Sequence, residues 1–143
     1  MPLEDALIQR LSHIIERSGA SIVTSSTWRL TAECYDKLIK KCGELGMDRS
    51  VFIGQTPEIA PVKIRDSNGH VNYHLMGVLG RINEIKAYVT SKNYAEQVVR
   101  WIVIDDMDMG GQDATIAERV VKTEIEAGLT DASVELAVNL LTR

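Results

Sequence analysis

The sequence contains little cysteine: Cys34 and Cys42 are its only two. Both lie in a segment that predicts a helix, where eight residues of separation correspond to about 12 Å of rise, beyond the reach of a disulfide bond. This pattern excludes a disulfide-stabilised secreted scaffold. We therefore expect a reduced protein with a cytoplasmic location.

The sequence also lacks an excess of basic residues and a long apolar run. Its 16 basic and 20 acidic residues give a net charge of -4, which excludes an overall basic surface for nucleic acid. One local basic stretch, typical either of an RNA contact or of a solvated helix face, contains Arg29, Lys37, Lys40 and Lys41. No apolar run approaches the roughly 18 residues that cross a bilayer, so no membrane partner is expected.

No internal repeat or low-complexity tract divides the chain. The hydrophobic fraction of 45% and the charged fraction of 25% are those of ordinary globular proteins, which excludes a disordered chain. A length of 143 residues suffices for a hydrophobic core and favours a single domain over residues 1–143.

Apolar periodicities of helix and strand type alternate along the sequence. This alternation, with short connections, predicts an α/β fold with three layers and a mainly parallel, Rossmann-like sheet. Residues 61–76 break the pattern, because Asn68-Gly69 is a tight-turn signal between two short apolar stretches and predicts an inserted β-hairpin. The predicted strands are 20–23, 51–53, 101–104 and 119–122, and the predicted helices lie at 3–18, after Thr31, after Gly80 and after Thr130 or Asp131.

Two acids, Asp105 and Asp106, directly follow the most apolar of the predicted strands. Ligands gather at the carboxyl ends of strands in such sheets. Adjacent carboxylates there repel each other unless a cation such as Mg²⁺ binds. The alternative interpretation is that both acids face water in a loop.

Hydroxyl-bearing residues, Thr24 and Ser25 among them, follow the first predicted strand. Hydroxyls and backbone N–H groups at such a turn hold phosphate oxygens, although the same residue types also serve as local caps. Arg81, at the start of a predicted helix, either reaches an anion at this edge or is a solvated surface arginine.

Five segments follow one another in an order typical of a known superfamily. They are Ser21–Arg29 (SIVTSSTWR), Ile53–Pro57 (IGQTP), Gly80–Ile85 (GRINEI), Trp101–Asp106 (WIVIDD) and Gly128–Thr130 (GLT). Together they resemble the haloacid dehalogenase superfamily, specifically the small phosphatase-like domains associated with RNA repair proteins.

The resemblance implies a role for each candidate residue. Ser25, or Thr24 in its place, would bind the transferred phosphoryl group, and Arg81 would offset phosphate charge. Asp105 and Asp106 would hold Mg²⁺. The implied chemistry is phosphoryl transfer through an aspartyl-phosphate, on a phosphorylated small molecule or a nucleic-acid end.

The superfamily's first motif, an apolar strand followed by Asp-x-Asp, is absent from its place before the helix at 3–18. That motif carries the nucleophile and the general acid–base group, so we assign no catalytic residue and expect an inactive phosphohydrolase-type domain. The missing strand is also the central one. Its neighbours must pair directly, or its place is filled by another chain, as in a homodimer, or by an upstream part of a longer protein. The alternative function is a non-catalytic module that binds phosphate or metal, or that serves as an oligomeric partner.

Overall fold

The computed structural model describes residues 5–25, 32–59, 62–91, 100–123 and 128–142. Within these residues, helices and strands alternate as the sequence predicts, which gives a mixed α/β structure. The helices are α1 (Asp5–Ser18), α2 (Ala32–Glu44), α3 (Tyr73–Thr90), α4 (Met109–Gln112) and α5 (Asp131–Thr142), and the strands are β1 (Ile22–Thr24), β2 (Phe52–Gln55), β3 (Val103–Asp105) and β4 (Val120–Lys122). None of the described helices combines the length and the apolar composition that crossing a bilayer requires.

The four strands form two parallel pairs, β1 with β2 and β3 with β4. The first pair places Thr24 opposite Gln55, with an irregularity in the register after Ile22. The second pair places Asp105 opposite Lys122. Within the described residues β1 and β3 are not hydrogen-bonded to each other. Direct pairing of these two strands, one of the three alternatives expected from the sequence, is therefore not observed.

The second strand pair is covered on both of its faces. Val103 and Val120 pack in a cluster with α3, whereas Ile104 and Val121 pack in a cluster with α1 and α5. Successive side chains of a strand point to opposite faces. It follows that α3 lies on one face of this pair and that α1 and α5 lie on the other.

α1 contacts both strand pairs. Ile14 is buried in the cluster that contains Val121 of β4, whereas Ile8 is buried in a second cluster that includes Ile22 of β1. Leu11 packs against both clusters. A helix with apolar residues on two flanks can hold both pairs in place without backbone hydrogen bonds between them.

α1 and α5 pack together although they are far apart in sequence. Arg10 Nη1 donates to the carbonyl of Leu129 at 3.0 Å, and Arg17 forms an ion pair with Glu135. Ile14 shares its apolar cluster with the buried face of α5. The buried residues of α5 are Val134, Ala137 and Val138, three of the four that its apolar spacing predicts to face inward, and the fourth, Leu141, is half-buried.

α3 begins at Tyr73, well before the start that the sequence predicts after Gly80. The Asn72 side chain accepts a hydrogen bond from the Leu75 N–H at 3.0 Å, which fixes the helix N-terminus there. Gly80 is inside the helix because a single glycine costs too little to end it. The prediction that Arg81 stands at a helix start is therefore wrong, and this arginine lies in the middle of α3.

The β-hairpin predicted at 61–76 does not form two strands among the described residues. A single antiparallel bridge joins Arg65 and Val71, around a turn in which Gly69 has a φ of 81°. Residues 73–76, the end of the predicted hairpin, form the first turn of α3 instead. The cap at Asn72 is the physical reason, since it satisfies N–H groups at the helix N-terminus that otherwise have no partner within the helix.

Both cysteines lie in α2, and neither forms a disulfide, as their spacing predicts. Cys42 is buried, and burial raises the pKa of its thiol, which disfavours the reactive thiolate. The predicted cap of α2, Thr31, and the first residue of the predicted hairpin, 61, lie outside the described residues.

The substitution Gly54→Ala tests the packing of α3 on β2. A Cβ atom at Gly54 would lie 2.9 Å from the Tyr88 Oη, and the Tyr88 ring is buried. We expect urea denaturation to show a free energy of unfolding lower by about 1–3 kcal/mol, because a buried ring must shift. Gly77→Ala is the matched control: its Cβ meets nothing within 4 Å, and alanine within α3 should raise stability by about 0.5–1 kcal/mol. Equal effects at the two positions would contradict the close contact.

Candidate functional site

An ion pair between α3 and the end of β3 is the centre of the site. Arg81 Nη1 lies 2.9 Å from Asp105 Oδ2, and Asp105 Oδ1 accepts the Met107 N–H at 3.0 Å. The Asp105 side chain is only 8% exposed and that of Arg81 is 18% exposed. Because water screens such a pair less than a surface ion pair, the two side chains are held firmly relative to each other.

The packing of α3 on β3 produces this contact. Ile82 and Ile85 are buried with Val103 in one apolar cluster, which fixes α3 against the strand. Arg81 directly precedes Ile82, and its long side chain reaches the carboxyl end of β3 from that position. Two residues predicted from separate motifs, Arg81 and Asp105, are thus brought into direct contact.

Asp106 adds a second, more exposed carboxyl group beside Asp105. A side-chain hydrogen bond with Asp105 raises the pKa of Asp106 above its usual value. Partial burial and the charge of Asp105 act in the same direction. The Asp106 backbone N–H and the charge of Arg81 oppose the shift. The two acids therefore share one region of negative charge, and Arg81 neutralises part of it.

The two carboxyl groups suit a hard divalent cation. Mg²⁺ is commonly held by one or two carboxylates, with water and phosphate oxygens completing its octahedral shell. Across the part of the chain that the structure describes, no group of three or more His, Cys, Asp or Glu side chains is placed to enclose a metal. The carboxylates of Asp105 and Asp106 would therefore suit Mg²⁺ whose remaining ligands are water or phosphate oxygens.

Thr24 and Ser25 lie at the carboxyl end of β1. Thr24 is 6% exposed, and its Oγ1 is buried with no hydrogen-bond partner among the described residues. Its backbone carbonyl accepts the Thr56 N–H at 3.0 Å, so the strand is anchored at this point. A buried hydroxyl without a partner costs roughly 1–3 kcal/mol and calls for an explanation, of which a bound ligand is one. Ser25 follows it and is half-buried.

Two buried or half-buried contacts that support this edge were not predicted from the sequence. Glu84, buried in α3, accepts the Ile59 N–H at 3.0 Å and ties the segment after β2 to the helix. Lys86 pairs with Asp113, the C-cap residue of α4. In the sequence, Glu84 could have been identified by its spacing, because it stands three residues after Arg81 and therefore on the same face of α3.

Comparison with known proteins gives a family match. The family model described as the HAD domain in Swiss Army Knife RNA repair proteins matches residues 1–134. Neither a curated protein nor a solved structure matches the chain significantly. The matched range includes all of the candidate site residues: Thr24, Ser25, Arg81, Asp105 and Asp106.

The substitution Arg81→Met tests how strongly the ion pair supports the fold. It leaves the buried Asp105 carboxylate without its cation, so we expect urea denaturation at neutral pH to show a loss of about 2–3 kcal/mol in the free energy of unfolding. Arg49→Met, at an exposed arginine before β2, is the matched control and should change stability by less than about 0.5 kcal/mol. Losses of equal size would contradict a firmly held pair.

The Lys86–Asp113 pair makes stability depend on acid pH. Hydrogen bonding to Lys86, and then to Thr115, lowers the pKa of Asp113 from 3.8 to about 2. Because the folded-state pKa lies below the unfolded-state value, the contribution of this carboxylate is complete above about pH 4 and is lost as the pH falls toward about 2. We therefore expect the Tm difference between wild type and Asp113→Asn to shrink over that range. A difference that stays constant down to about pH 2 would contradict the lowered pKa.

Proposed function

The chain belongs to the family of haloacid dehalogenase (HAD) domains found in Swiss Army Knife RNA repair proteins, and from this premise we propose that it binds the terminal phosphate of an RNA and is built for hydrolysis of that phosphate. The observation that carries the proposal is the sheltered Arg81–Asp105 pair, with Asp106 beside it, at the carboxyl end of a parallel strand. An apolar strand followed by two acids, with an arginine on the preceding helix, is the arrangement of the superfamily's phosphohydrolases, which generally use Mg²⁺.

Each candidate residue has a distinct role in this proposal. Arg81 directs Nη1 to Asp105, which leaves its Nε and Nη2 donors for phosphate oxygens. Ser25, with Thr24 as the alternative, donates a hydroxyl hydrogen bond to the phosphoryl group. The Thr24 hydroxyl, which has no hydrogen-bond partner among the described residues, supports a ligand at this strand end. Asp105 and Asp106 hold Mg²⁺, which when bound offsets the charge of the phosphate oxygens.

We further propose that both strand pairs belong to one sheet in the order β2-β1-β3-β4, with one open strand position between β1 and β3. Connections between parallel strands are right-handed in nearly all proteins. α2, which connects β1 to β2, packs in the cluster of Ile8 and Cys42 and so lies on the face that α1 covers. α3, which connects β2 to β3, lies on the opposite face. A right-handed connection through that face places β3 on the side of β2 where β1 lies. The predicted three-layer arrangement follows from this order.

This order places β1 and β3 on either side of one further strand position. Neither strand is paired on that side within the described residues, and unpaired backbone groups inside a sheet are costly. The superfamily's Asp-x-Asp strand belongs between them, with its carboxyl end near Ser25 and Asp105. A strand with this motif would come from a different polypeptide or from an upstream part of a longer protein. A second copy of this chain, as in a homodimer, would fill the position without supplying the superfamily's first motif. We propose that the 143-residue chain alone is inactive because the nucleophile arrives on that strand.

Phosphate binding tests the site itself. We expect calorimetry to show binding of inorganic phosphate that requires Mg²⁺, and we expect both Ser25→Ala and Asp106→Asn to weaken it by about tenfold, since a contact with a charged group contributes about 1.5–3 kcal/mol. Asp36→Asn, at an exposed acid on α2, is the matched control and should leave the affinity unchanged. Absence of phosphate binding in the presence of Mg²⁺ would overturn the proposal.

Turnover tests the need for the additional strand. We expect no hydrolysis of a phosphate ester, or of RNA with a 5′- or 3′-phosphate, by the 143-residue chain alone. Hydrolysis should appear when a polypeptide with an apolar strand and Asp-x-Asp is added. Robust hydrolysis by the chain alone that Asp105→Asn abolishes would contradict the inactivity. A strictly monomeric species in light scattering would exclude a second copy as the source of the strand.

The second candidate function is a non-catalytic module that binds phosphate or metal. It is favoured by the engagement of both Asp105 carboxylate oxygens, by Arg81 and by the Met107 N–H. Such a module would bind phosphate, but adding a polypeptide with an apolar strand and Asp-x-Asp would produce no hydrolysis.

A further inference from the structure

We propose that residues 62–74, termed here the overhang, hold the single-stranded RNA that leads to the terminal phosphate. This inference rests on the proposed function and adds to it the surface that selects RNA over a small phosphate ester. The overhang suits RNA by its position, its exposed side chains, its charge and its rigidity.

The overhang lies beyond the carboxyl ends of the strands. Glu84 of α3 is hydrogen-bonded to the segment past the end of β2, whereas Tyr88, one turn later, lies against Gly54 inside β2. α3 therefore runs from the carboxyl edge of the strands toward their amino edge. Tyr73 precedes Arg81 by eight residues and so lies about 12 Å farther out along the helix. RNA whose terminal phosphate reaches Arg81 passes this segment.

The overhang exposes apolar and aromatic surface that the core does not use. Tyr73 is 77% exposed and Val62 is 79% exposed. They are the two most exposed large hydrophobic residues in the described part of the chain. Exposed apolar side chains side by side mark a binding surface, and an exposed tyrosine is a side chain on which unpaired bases stack.

The charge of the overhang is opposite in sign to that of the whole chain. Lys63 and Arg65 outnumber one acid, Asp66, in a protein whose net charge is -4. The Asp66 carboxylate is engaged within the turn, because its Oδ1 accepts the N–H groups of Asn68 and His70 at 2.9 and 3.0 Å. Basic side chains beside an exposed aromatic ring suit a strand of phosphates and bases, whereas an acidic peptide would use only the charge.

The overhang is held in one shape by its own hydrogen bonds. Arg65 Nη1 donates to the Gly69 carbonyl at 2.8 Å, and the Asn72 N–H donates to the Ile64 carbonyl at 2.8 Å. A surface that is ordered beforehand loses less conformational entropy when it binds.

The basic stretch of α2, the RNA surface considered from the sequence, lacks these features. Lys37 is 3.4 Å from Glu33, so its charge is already paired along the helix. None of the exposed large hydrophobic residues in the described part of the chain lies on α2. α2 thus offers a matched surface of lysines whose one tyrosine, Tyr35, is half-buried, and Arg29 lies outside the described residues.

Fluorescence anisotropy tests the proposal on the whole chain. The probe is a labelled single-stranded oligoribonucleotide of about ten nucleotides, with a 5′- or a 3′-phosphate. We expect Tyr73→Ala to weaken binding by about fivefold or more, and Tyr73→Phe, which keeps the ring, to bind like wild type. Lys63→Gln should reduce the slope of log affinity against log salt by about 0.7, the value for one phosphate contact. Lys40→Gln on α2 is the matched control and should change neither quantity.

Several outcomes would overturn the proposal. They are equal affinities of wild type and Tyr73→Ala, an effect of Lys40→Gln as large as that of Lys63→Gln, or binding of an acidic peptide with the same dependence on Tyr73. Thermal melts check folding, which the loss of so exposed a side chain should leave intact. If inorganic phosphate binds but the oligonucleotide does not, the overhang alone fails. If the oligonucleotide binds through Tyr73 but phosphate with Mg²⁺ does not bind, the proposed function alone fails.

Discussion

The structure depends on α1 lying across two strand pairs that share no hydrogen bonds in the described part of the chain. Each strand has only three or four residues, and a two-stranded ladder of that length is marginal by itself. Apolar burial against α1 supplies what the ladders lack, because Ile14 anchors one pair, Ile8 the other, and Leu11 packs against both. The separation between Thr24 and Asp105, and with it the width of the site, is therefore set by helix packing.

The Arg81 guanidinium links this packing to the chemistry of the site. In the structure it balances the Asp105 carboxylate, which is almost fully buried. If phosphate binds with Mg²⁺ as proposed, it adds an anion beside Arg81 and a cation beside Asp105, so the charges that the ion pair balances stay balanced. An anion without a cation would instead add negative charge beside Asp105 and Asp106. The Asp106 carboxyl, beside the pair but more exposed, is the group with the most freedom to follow the change.

The parts of the structure that one local pattern decides could be predicted from the sequence. The parts where local signals compete, or where distant residues meet, could not. The apolar run before Asp105 identified β3, and the spacing of Val134, Ala137 and Val138 identified the buried face of α5. The predicted start of α3, after Gly80, is wrong because the Asn72 side chain caps the helix earlier and the glycines that follow do not end it.

The candidate site shows the same division. Its residue types and their places after strands were visible in the sequence, but the contact between Arg81 and Asp105 spans 24 positions and depends on how α3 packs. The role of Asp108 was hidden for a different reason. It closely follows Asp105 and Asp106 and stands before no helix that the sequence predicts, whereas its carboxylate caps α4 by accepting the Gly111 N–H at 3.0 Å.

The pairing of α1 with α5 has a consequence for biosynthesis. A ribosome adds about 5–20 residues each second, so several seconds pass between the emergence of Ile14 and that of Val138, its partner in the cluster. During that interval the apolar flank of α1 that faces α5 has no native cover, while the flank at Ile8 can already pack against Cys42 of α2. The nascent chain is therefore expected to complete the β1–β2 half first and to present a chaperone-binding stripe along α1 until α5 arrives.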